Sequence, residues 1–499
     1  MRRRRGGRRA NDFRTVFARV PWCIPSHCAD APLQSFKGAL GHGSGPPGRG
    51  WRSFNVAVIS WQSRSCDGQE TASRADPVAA ATPPCYKLAV PPSQPAPDAG
   101  TQGFFRGWAG PPPAQCRAGT GITRGRTGML IGVPAETMAG ETRVAATPET
   151  VKKLRAQGHV LRVQAGAGVA ASVPDALYEA AGAEIVDVAG ALGADLVLKV
   201  RIPSEDELPG IRKGATLVGM LDPFQPAGLQ RLADAGVTAY ALEAAPRTTR
   251  AQSMDVLSSQ ANIAGYKAVM IAANQYQRFF PMLMTAAGTV KAARVVVLGV
   301  GVAGLQAIAT AKRLGAVIEA SDVRPSVREQ VESLGGKFID VPYETAEEKE
   351  AAEGVGGYAR PMPQSWLDRQ KAEVAKRVAQ ADVVITTALI PGRPAPVLVT
   401  AEMVQAMKPG AVIVDLAAER GGNCPLTQAG MTVVTHGVTI VGLTNLPAMV
   451  AADASALYAR NVLDFLKLII NKDGALHVDM EDDIVAACLM AHEGQLRRK

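Results

Sequence analysis

The segment that most restricts the fold of this chain is an apolar run that leads into closely spaced glycines. Arg294-Val-Val-Val-Leu is followed by Gly299-Val-Gly301-Val-Ala-Gly304 and then at once by the helical pattern LQAIATAKRLG. In a G-x-G-x-x-G between a strand and a helix, the first glycine permits a tight turn, the second lets the backbone approach a pyrophosphate, and the third lets the helix pack against the strand. The phosphates would lie on unpaired N–H groups at the helix N-terminus.

A carboxylate follows where a ribose would lie. The next apolar run, AVIEAS, ends at Asp322, roughly 20 residues beyond the third glycine of the motif. A carboxylate there can accept hydrogen bonds from ribose hydroxyls and would repel a 2′-phosphate, which favours NAD(H) over NADP(H). Arg324 weakens this preference, because a nearby arginine is the usual means of binding the 2′-phosphate. The alternative interpretation is a tight turn without a ligand.

From Met129 onward, short β-rich runs alternate with helical stretches, which predicts an α/β fold with parallel sheets covered on both faces. Thr147-Pro148-Glu149 predicts the start of the first helix, a long helix is expected over 262–280, and a last helix over 451–470 lies past the last expected strand. We expect two Rossmann-like domains joined by long helices. The first comprises 129–260 and 446–499, and the second, NAD-binding domain comprises 261–445.

Residues 1–128 differ from the rest of the chain in charge and composition. The whole sequence carries 54 Lys and Arg against 45 Asp and Glu, and the cationic excess lies in this N-terminal segment, so the net charge does not indicate nucleic-acid binding by the folded part. Gly, Pro, Arg and Ser dominate the segment, and such a composition cannot bury enough apolar surface to fold. We therefore expect a disordered extension, or a mis-called start upstream of Met129. A basic tail that binds nucleic acid is the open alternative.

The cysteines and apolar runs exclude several other classes of protein. After position 128 the only cysteines are Cys424 and Cys488, too few for a disulfide scaffold and without the spacing of metal ligands, so we expect no metal. No run approaches the ~18–20 apolar residues that span a bilayer. A soluble, cytoplasmic protein is expected.

A longer set of motifs carries a family resemblance. The segment Pro246-Arg-Thr-Thr-Arg-Ala-Gln-Ser-Met-Asp-Val-Leu-Ser-Ser-Gln, followed by NIAGYKAV, resembles domain I of the proton-translocating NAD(P)+ transhydrogenases, in the alanine dehydrogenase/transhydrogenase family. GVGVAGLQAIATAKRLGA, SDVR, GGYAR, TTALIPGRPAPVLVT and MKPGAVIVDLAAERGGNCPL are similar to the same family in the same order. The resemblance covers about Met129 to Leu466 and does not include the N-terminal segment.

The resemblance implies a function and partners. Domain I in that family binds NAD(H) and passes a hydride directly to or from NADP(H) on a partner subunit, coupled to proton movement through a membrane domain that is absent here. It implies as partners the membrane subunit and the NADP(H)-binding beta subunit, a homodimer, no nucleic acid, and a location on the inner face of the plasma membrane. Direct hydride transfer involves no proton abstraction, so the site must hold two rings together and exclude water rather than supply a base.

The resemblance also implies site residues. Arg247, Gln252 and Asp255 would be the functional trio that orders the nicotinamide end, an amide beside a salt-linked Arg247 and Asp255, while the alternative is a polar helix-capping loop. The residues expected at the cofactor are Arg247, Gln252, Asp255, Ser258, Gly299, Val300, Gly301, Val302, Gly304, Asp322, Val323, Arg324, Gly357, Tyr358, Gln370 and Leu389. The segment 341–363 has no core pattern and is a lid candidate with Tyr358 as its closing residue. Pro361 departs from the acidic residue expected in that motif.

Alanine dehydrogenase is the alternative function, because it shares the architecture and sequence pattern. Arg143 and Lys199 match its substrate-binding Arg and Lys, but Asp222 stands where its strand-end His is expected and Glu419 where a catalytic Asp is expected. Amino-acid oxidation needs proton transfer, so the missing His counts against this reaction. Arg143 and Lys199 can equally be scaffold residues. A non-catalytic NAD-sensing subunit is a third hypothesis, which depends on whether a partner exists.

Overall fold

The computed structural model describes residues 128–353, 362–389 and 392–497. All of them belong to one compact unit, Ala114–Lys499. The extension predicted for residues 1–128 lies, apart from Gly128, outside the described residues.

Strands and helices alternate along the described chain, as the sequence predicts. The strands are β1 (Leu130–Val133), β2 (Val160–Gln164), β3 (Glu184–Val186), β4 (Leu196–Arg201), β5 (Thr216–Met220), β6 (Thr238–Ala241), β7 (Leu283–Thr285), β8 (Gly288–Val290), β9 (Arg294–Leu298), β10 (Val317–Ser321), β11 (Lys337–Phe338), β12 (Val383–Thr386), β13 (Val412–Asp415), β14 (Thr432–Thr435), β15 (Val438–Val441), β16 (Leu489–His492) and β17 (Gln495–Leu496). The α-helices are α1 (Pro148–Ala156), α2 (Asp175–Ala180), α3 (Val188–Leu192), α4 (Pro226–Asp234), α5 (Val256–Gln275), α6 (Val302–Arg313), α7 (Arg328–Ser333), α8 (Ala346–Glu353), α9 (Gln364–Val378), α10 (Ala401–Gln405), α11 (Ala451–Ile469) and α12 (Asp483–Cys488).

The first lobe is built on an eight-stranded sheet with the strand order β17-β16-β6-β5-β4-β1-β2-β3. Strands β1 to β6 are parallel, and β16 and β17 extend the β6 edge in the antiparallel sense. The chain runs outward from β1 to β3, returns to β4 beside β1 and then continues to β6. Strands β4, β5 and β6 are almost continuously buried, as expected for parallel strands covered on both faces.

The second lobe is built on a seven-stranded sheet with the order β11-β10-β9-β12-β13-β15-β14. Its strands are parallel except for β14, which pairs antiparallel with β15. The chain leaves β9 toward β10 and β11 and then returns to β12 on the other side of β9. The carboxyl end of β9 therefore lies at the point where the strand order reverses, which is where open α/β sheets bind ligands.

Two long helices connect the lobes, in agreement with the predicted architecture. Helix α5 starts in the first core with Val256 and ends in the second with Ala272. Helix α11 packs back on the first lobe, where Tyr458 and Phe465 are fully buried. None of the helices in the described ranges is long and apolar enough to cross a membrane.

The structure differs from the sequence predictions in three places. The helix expected over 262–280 is Val256–Gln275, because Asp255 caps its start by accepting a hydrogen bond from Ser258 N, and an antiparallel hairpin of β7 and β8 follows it. The last helix is not past the last strand, since β16 and β17 follow it. The lid candidate is partly structured: it contains α8, and Val341, Ala351 and Met362 are buried in a small apolar cluster.

Candidate functional site: a nucleotide-binding turn and a polar loop

The glycine motif forms a tight turn between β9 and α6. Gly299 has φ +89°, in the left-handed region, and its carbonyl accepts a hydrogen bond from Thr387 Oγ1 at 2.7 Å. A Cβ on Gly304 would lie 2.1 Å from the Gly299 oxygen, so only glycine lets α6 start this close to the strand. A Cβ on Gly301 would meet nothing within 4 Å. The turn is therefore open at the position where its backbone would approach a pyrophosphate, which fits a dinucleotide.

Asp322 lies at the end of β10 beside this turn, and its carboxylate is fully engaged. Val300 N donates to Oδ2 at 2.7 Å, and Arg324 N donates to Oδ1 at 2.8 Å. The Arg324 guanidinium donates to both oxygens at 3.0 Å and to the Val300 carbonyl at 3.2 Å. A carboxylate has about four acceptor positions, and all four are occupied. Asp322 therefore holds both the turn and the arginine, and a ribose hydroxyl would have to share or displace one of these bonds.

Other predicted cofactor residues surround the same edge of the sheet. Gln370 of α9 donates to Ser321 Oγ at 3.3 Å and to the Asp322 carbonyl at 3.4 Å. The side chain of Val300 is buried, whereas Val302, Val323 and Leu389 are exposed at the open side. Gly357, Tyr358 and Pro361 lie outside the described residues.

The loop 246–255 lies at the carboxyl end of the first sheet, between β6 and α5. Arg247 and Gln252 are exposed, and Gln252 begins a single 3₁₀ turn. Asp255 accepts hydrogen bonds from Ser258 N at 2.9 Å and from Ser258 Oγ at 2.6 Å. Its carboxylate therefore caps α5 and orients the Ser258 hydroxyl, as the capping interpretation of this loop predicts.

Two long-range contacts fix this loop. The Arg250 guanidinium makes a two-point ion pair with Asp482 at 2.6 and 2.8 Å and a further pair with Asp483. On the other side of the loop, Asn461 Nδ2 of α11 donates to the Ser253 carbonyl at 2.7 Å. The loop is thus attached to α12 and to α11, which keeps its backbone in place while the outer side chains of Arg247 and Gln252 face solvent.

A buried carboxylate and an amide hold the opposite loops of the second lobe. Asp415, fully buried at the end of β13, accepts hydrogen bonds from Asn423 N at 2.7 Å and from Thr427 Oγ1 at 2.7 Å. The Asn423 side chain exchanges two hydrogen bonds with the backbone of Ala388, at 2.8 and 3.1 Å. Sequence analysis did not identify Asn423 or Thr387. The paired glycines before Asn423 were the available signal, since Gly421 and Gly422 both have positive φ and mark a tight turn after a strand.

The two cations that match alanine dehydrogenase are buried and paired within the chain. Lys199 Nζ lies 2.7 Å from Glu207 Oε1 and 3.5 Å from Glu136 Oε2, and the lysine has no exposed surface. Burial raises the pKa of Glu136, opposed by Lys199, whereas at Glu207 the effect of burial is outweighed by the hydrogen bond from Lys199, and the pKa is lowered. Lys199 therefore neutralises carboxylates of its own lobe.

Arg143 is engaged in the same way. It donates to Glu141 at 2.6 and 2.8 Å, to Gln260 Oε1 at 2.8 Å and to Asn445 Oδ1 at 3.2 Å. Burial alone would raise the pKa of Glu141, but the Arg143 bonds lower it to about 2. The geometry of both cations fits the scaffold interpretation rather than a substrate-carboxylate site.

The positions of the missing dehydrogenase acids and bases have other roles. Asp222, at the expected His position, has φ +49° and its N–H donates to Glu243 Oε1 at 2.7 Å. Burial raises the pKa of Glu243 to about 7, and the described residues offer its buried Oε2 atom no hydrogen-bond donor. Glu419, at the expected Asp position, accepts from Asn445 N at 3.0 Å. In the described ranges, no three His, Cys, Asp or Glu side chains are grouped so that they could hold a metal ion.

A switch-point glycine turn, with a carboxylate at the end of the neighbouring strand, defines a two-lobed protein of the nicotinamide-dinucleotide-binding class. Two family models match: "Alanine dehydrogenase/PNT, N-terminal domain" over residues 132–264 and "Alanine dehydrogenase/PNT, C-terminal domain" over 268–499. The chain therefore belongs to the alanine dehydrogenase/PNT family.

Individual relatives agree with the resemblance seen in the sequence. The first of the separately encoded parts of the NAD(P) transhydrogenase alpha subunit of Rhodospirillum rubrum is 52% identical over 378 residues, which cover 74% of this chain and 97% of that protein. The solved structure of a transhydrogenase from Sinorhizobium meliloti is 49% identical, with a TM-score of 0.67 over 74% of this chain and 99% of that one. Alanine dehydrogenase of Mycolicibacterium smegmatis is 31% identical over 74% of this chain and 94% of that protein. The chain is thus more similar to the transhydrogenases than to this alanine dehydrogenase.

The first testable consequence concerns the buried lysine. Lys199→Met should lower the free energy of unfolding by about 3–5 kcal/mol, because it leaves Glu136 and Glu207 buried without their cation. Urea denaturation would measure the change. Lys153→Met is the matched control: Lys153 pairs with Glu149 at 2.9 Å on the surface, where an ion pair contributes up to ~1 kcal/mol. Equal effects of the two substitutions would contradict the assignment of Lys199 as a buried scaffold cation.

The second consequence concerns pH. Because the pKa of Glu243 is raised to about 7 in the folded chain, its contribution to stability is present below its unfolded value and is lost as the pH rises through about 7. Relative to Glu243→Gln, the wild-type chain should therefore lose about 1–3 kcal/mol of unfolding free energy between pH 5 and pH 8. Urea titrations of both chains at several pH values would measure the difference. Parallel stability curves would show that Glu243 is ionised normally.

Proposed function

We propose that this chain is the NAD(H)-binding subunit of a proton-translocating NAD(P)+ transhydrogenase. It passes a hydride directly between NAD(H) in its own cleft and NADP(H) held by a partner subunit, and it is catalytically complete only with that partner. The observation that carries the proposal is the pairing of a glycine turn with a polar loop, 246–255, in a cleft where the cations expected for an amino-acid substrate are already neutralised.

At the nucleotide end, the chain binds the cofactor through backbone groups and one carboxylate. The N-terminus of α6 and the open position at Gly301 receive the pyrophosphate, and Asp322 faces the ribose. Asp322 also keeps the guanidinium of Arg324 in a two-point ion pair, so this arginine is held against a carboxylate rather than extended toward a 2′-phosphate. This supports the assignment of NAD(H) here and NADP(H) on the partner.

At the nicotinamide end, the loop 246–255 orients the ring. The exposed Arg247 and Gln252 supply the polar groups that contact the carboxamide and ribose, while Asp255 fixes the Ser258 hydroxyl. Bound NAD(H) supplies the carbon that accepts or donates the hydride. No residue needs to act as a base, because a hydride moves between two rings without proton abstraction, and the role of the loop is to orient one ring and exclude water.

The division of labour and the partners follow from this assignment. The first domain, 129–260 with 446–499, carries the loop, and the second, 261–445, carries the glycine turn. The partners are the membrane subunit and the NADP(H)-binding beta subunit, and through them the chain lies peripherally on the inner, cytoplasmic face of the plasma membrane. Coupling to proton movement belongs to those subunits.

We further propose that the chain is a homodimer. The hairpin β7–β8 forms its own two-stranded sheet, and the segment around it exposes the large apolar side chains of Phe279, Met282, Leu283, Met284 and Val290. A cluster of this kind on one projecting element is typical of an interaction site. A second copy of the chain is the partner that the family resemblance implies.

The proposed reaction can be tested with the full chain and membranes that contain candidate partner subunits. NADPH deuterated at the transferred position of C4 and an NAD+ analogue with a distinct reduced absorbance should give a deuterated reduced analogue, without exchange with solvent. Neither component alone should react. Loss of the label to water would contradict direct hydride transfer, and alanine-dependent NADH formation by this chain alone would favour the dehydrogenase alternative.

Selectivity at the ribose gives a separate prediction. Asp322→Asn should weaken NADH binding by about tenfold, which corresponds to the loss of a hydrogen bond to a charged group, and should increase NADPH binding, because it releases Arg324 from its ion pair. Fluorescence titration of both nucleotides would measure this. Asp340→Asn, which removes a carboxylate paired with Arg328 in the same lobe, should change neither affinity. An unchanged ratio of NADH to NADPH affinity in Asp322→Asn would refute the ribose assignment.

The dimer is tested by replacing the most exposed residues of the hairpin segment. Met282→Ser with Met284→Ser should shift the sedimentation coefficient of the chain from dimer to monomer at micromolar concentration, since both side chains are more than half exposed and lie on the proposed contact. Met449→Ser with Met480→Ser, which removes exposed methionines elsewhere, is the control and should leave the dimer intact. A wild-type monomer would contradict the proposal.

A further inference from the structure

One ion pair and one apolar contact join the facing carboxyl edges of the two sheets. Arg420 Nη2, in the loop after β13, lies 3.3 Å from both carboxylate oxygens of Asp222, in the loop after β5. Close by in the same two edges, the Phe224 ring lies against the backbone of Gly392, where a Cβ would approach Phe224 Cδ1 to 2.6 Å. The cleft between the loops of the two lobes is thus bridged by residues 222–224 of the first lobe.

Asp222 is held in the conformation that this bridge needs. Its φ of +49° is unusual for a non-glycine residue, although Asp and Asn tolerate the left-handed region better than most residues. The bond from Asp222 N to the buried Oε1 of Glu243 at 2.7 Å and the bond from Gln225 N to the Asp222 carbonyl at 2.9 Å fix this backbone. Glu243 itself ends β6, immediately before the loop 246–255.

Arg420 is connected to the glycine turn by an unbroken series of hydrogen bonds. Its carbonyl accepts from Ala395 N at 2.9 Å, and Asn423, three residues on, is bonded to the backbone of Ala388. The neighbouring Thr387 donates to the Gly299 carbonyl at 2.7 Å. One partner of the ion pair is therefore coupled to the nicotinamide loop and the other to the turn that receives the pyrophosphate.

We infer that Asp222 and Arg420 form an interlobe latch that positions the loop 246–255 relative to the glycine turn. Both are positioning residues, since neither lies on the turn or on the loop. The consequence for hydride transfer rests on the proposed function, whereas the latch itself does not. Both side chains are about one third exposed, so the pair is weak enough to open and is sensitive to salt.

The latch is tested by hydrogen–deuterium exchange in the full chain. Asp222→Asn keeps a residue that tolerates positive φ and removes only the charge, and Arg420→Gln removes the other partner. Each should speed amide exchange in both 221–226 and 386–389 by about two- to fivefold, the range for a partly exposed ion pair. The double variant should add no more than one single variant does, and high salt should abolish the difference from wild type.

The control is a pair of similar exposure away from the cleft. Arg162 Nε lies 3.0 Å from Glu184 Oε2 across β2 and β3, and Arg162→Gln should leave exchange at both cleft segments unchanged. Faster exchange only in the segment that carries the substitution, or additive effects in the double variant, would overturn the latch.

The positioning role is tested with the partner subunits. Either single variant should lower kcat for hydride transfer by about two- to fivefold, with the NADH dissociation constant within about twofold of wild type. A normal kcat in a variant with faster exchange would refute the positioning role. If the wild-type chain transfers no hydride with any partner, the proposed function fails, and the exchange measurements alone decide whether the latch exists.

Discussion

Carboxylates at the ends of the parallel strands hold the loops from which the cleft is made. At the carboxyl edge of a parallel sheet, the chain leaves the ladder and its N–H groups need new acceptors. Asp322 accepts Val300 N after β10, and Asp415 accepts Asn423 N after β13. In the first lobe, Glu136 accepts Val200 N at 2.6 Å and Glu243 accepts Asp222 N at 2.7 Å. Both lobes thus use one device to fix loops of irregular backbone.

The same carboxylates explain why the family scaffold does not carry amino-acid chemistry here. A substrate carboxylate needs a cation whose charge is available, but Lys199 is balanced by Glu136 and Glu207. The strand end where a proton-transferring histidine is expected carries Asp222, which faces an arginine of the other lobe. What the cleft retains is the capacity to bind a dinucleotide and to orient its ring. This is sufficient for hydride transfer between two cofactors and insufficient for oxidation of an amino acid.

The features predicted from the sequence are those set by local patterns. The strand, the three glycines and the carboxylate of the next strand lie within one βαβ unit, so their spacing fixes their geometry. The pairing of Asp322 with Arg324 is also local, yet the two residues were interpreted as competing signals for two cofactors, whereas the structure joins them in one ion pair. Likewise the expected pairing of Arg247 with Asp255 overlooked the helix start, where Asp255 is the capping residue.

The features that the sequence did not predict depend on contacts between distant residues. Asp222 and Arg420 are separated by 198 positions, and Arg250 and Asp482 by 232. No periodicity or spacing reports such pairs, because they arise only when both sheets and the two long helices are in place. The short strands β16 and β17 were missed for a related reason, since four- and two-residue runs acquire their conformation by pairing with β6 and with each other.

The distribution of these long-range contacts determines which region of the cleft can move. The loop 246–255 is attached on one side through the two-point ion pair of Arg250 and on the other through Asn461, so it moves with the first lobe as a unit. The Asp222–Arg420 pair across the lobes is longer, at 3.3 Å, and more exposed. Because an exposed pair contributes at most ~1 kcal/mol, separation of the lobes requires far less energy than rearrangement of the loop. Nucleotide entry and release therefore proceed through the spacing of two rigid edges, and the geometry needed for hydride transfer is restored each time the edges close.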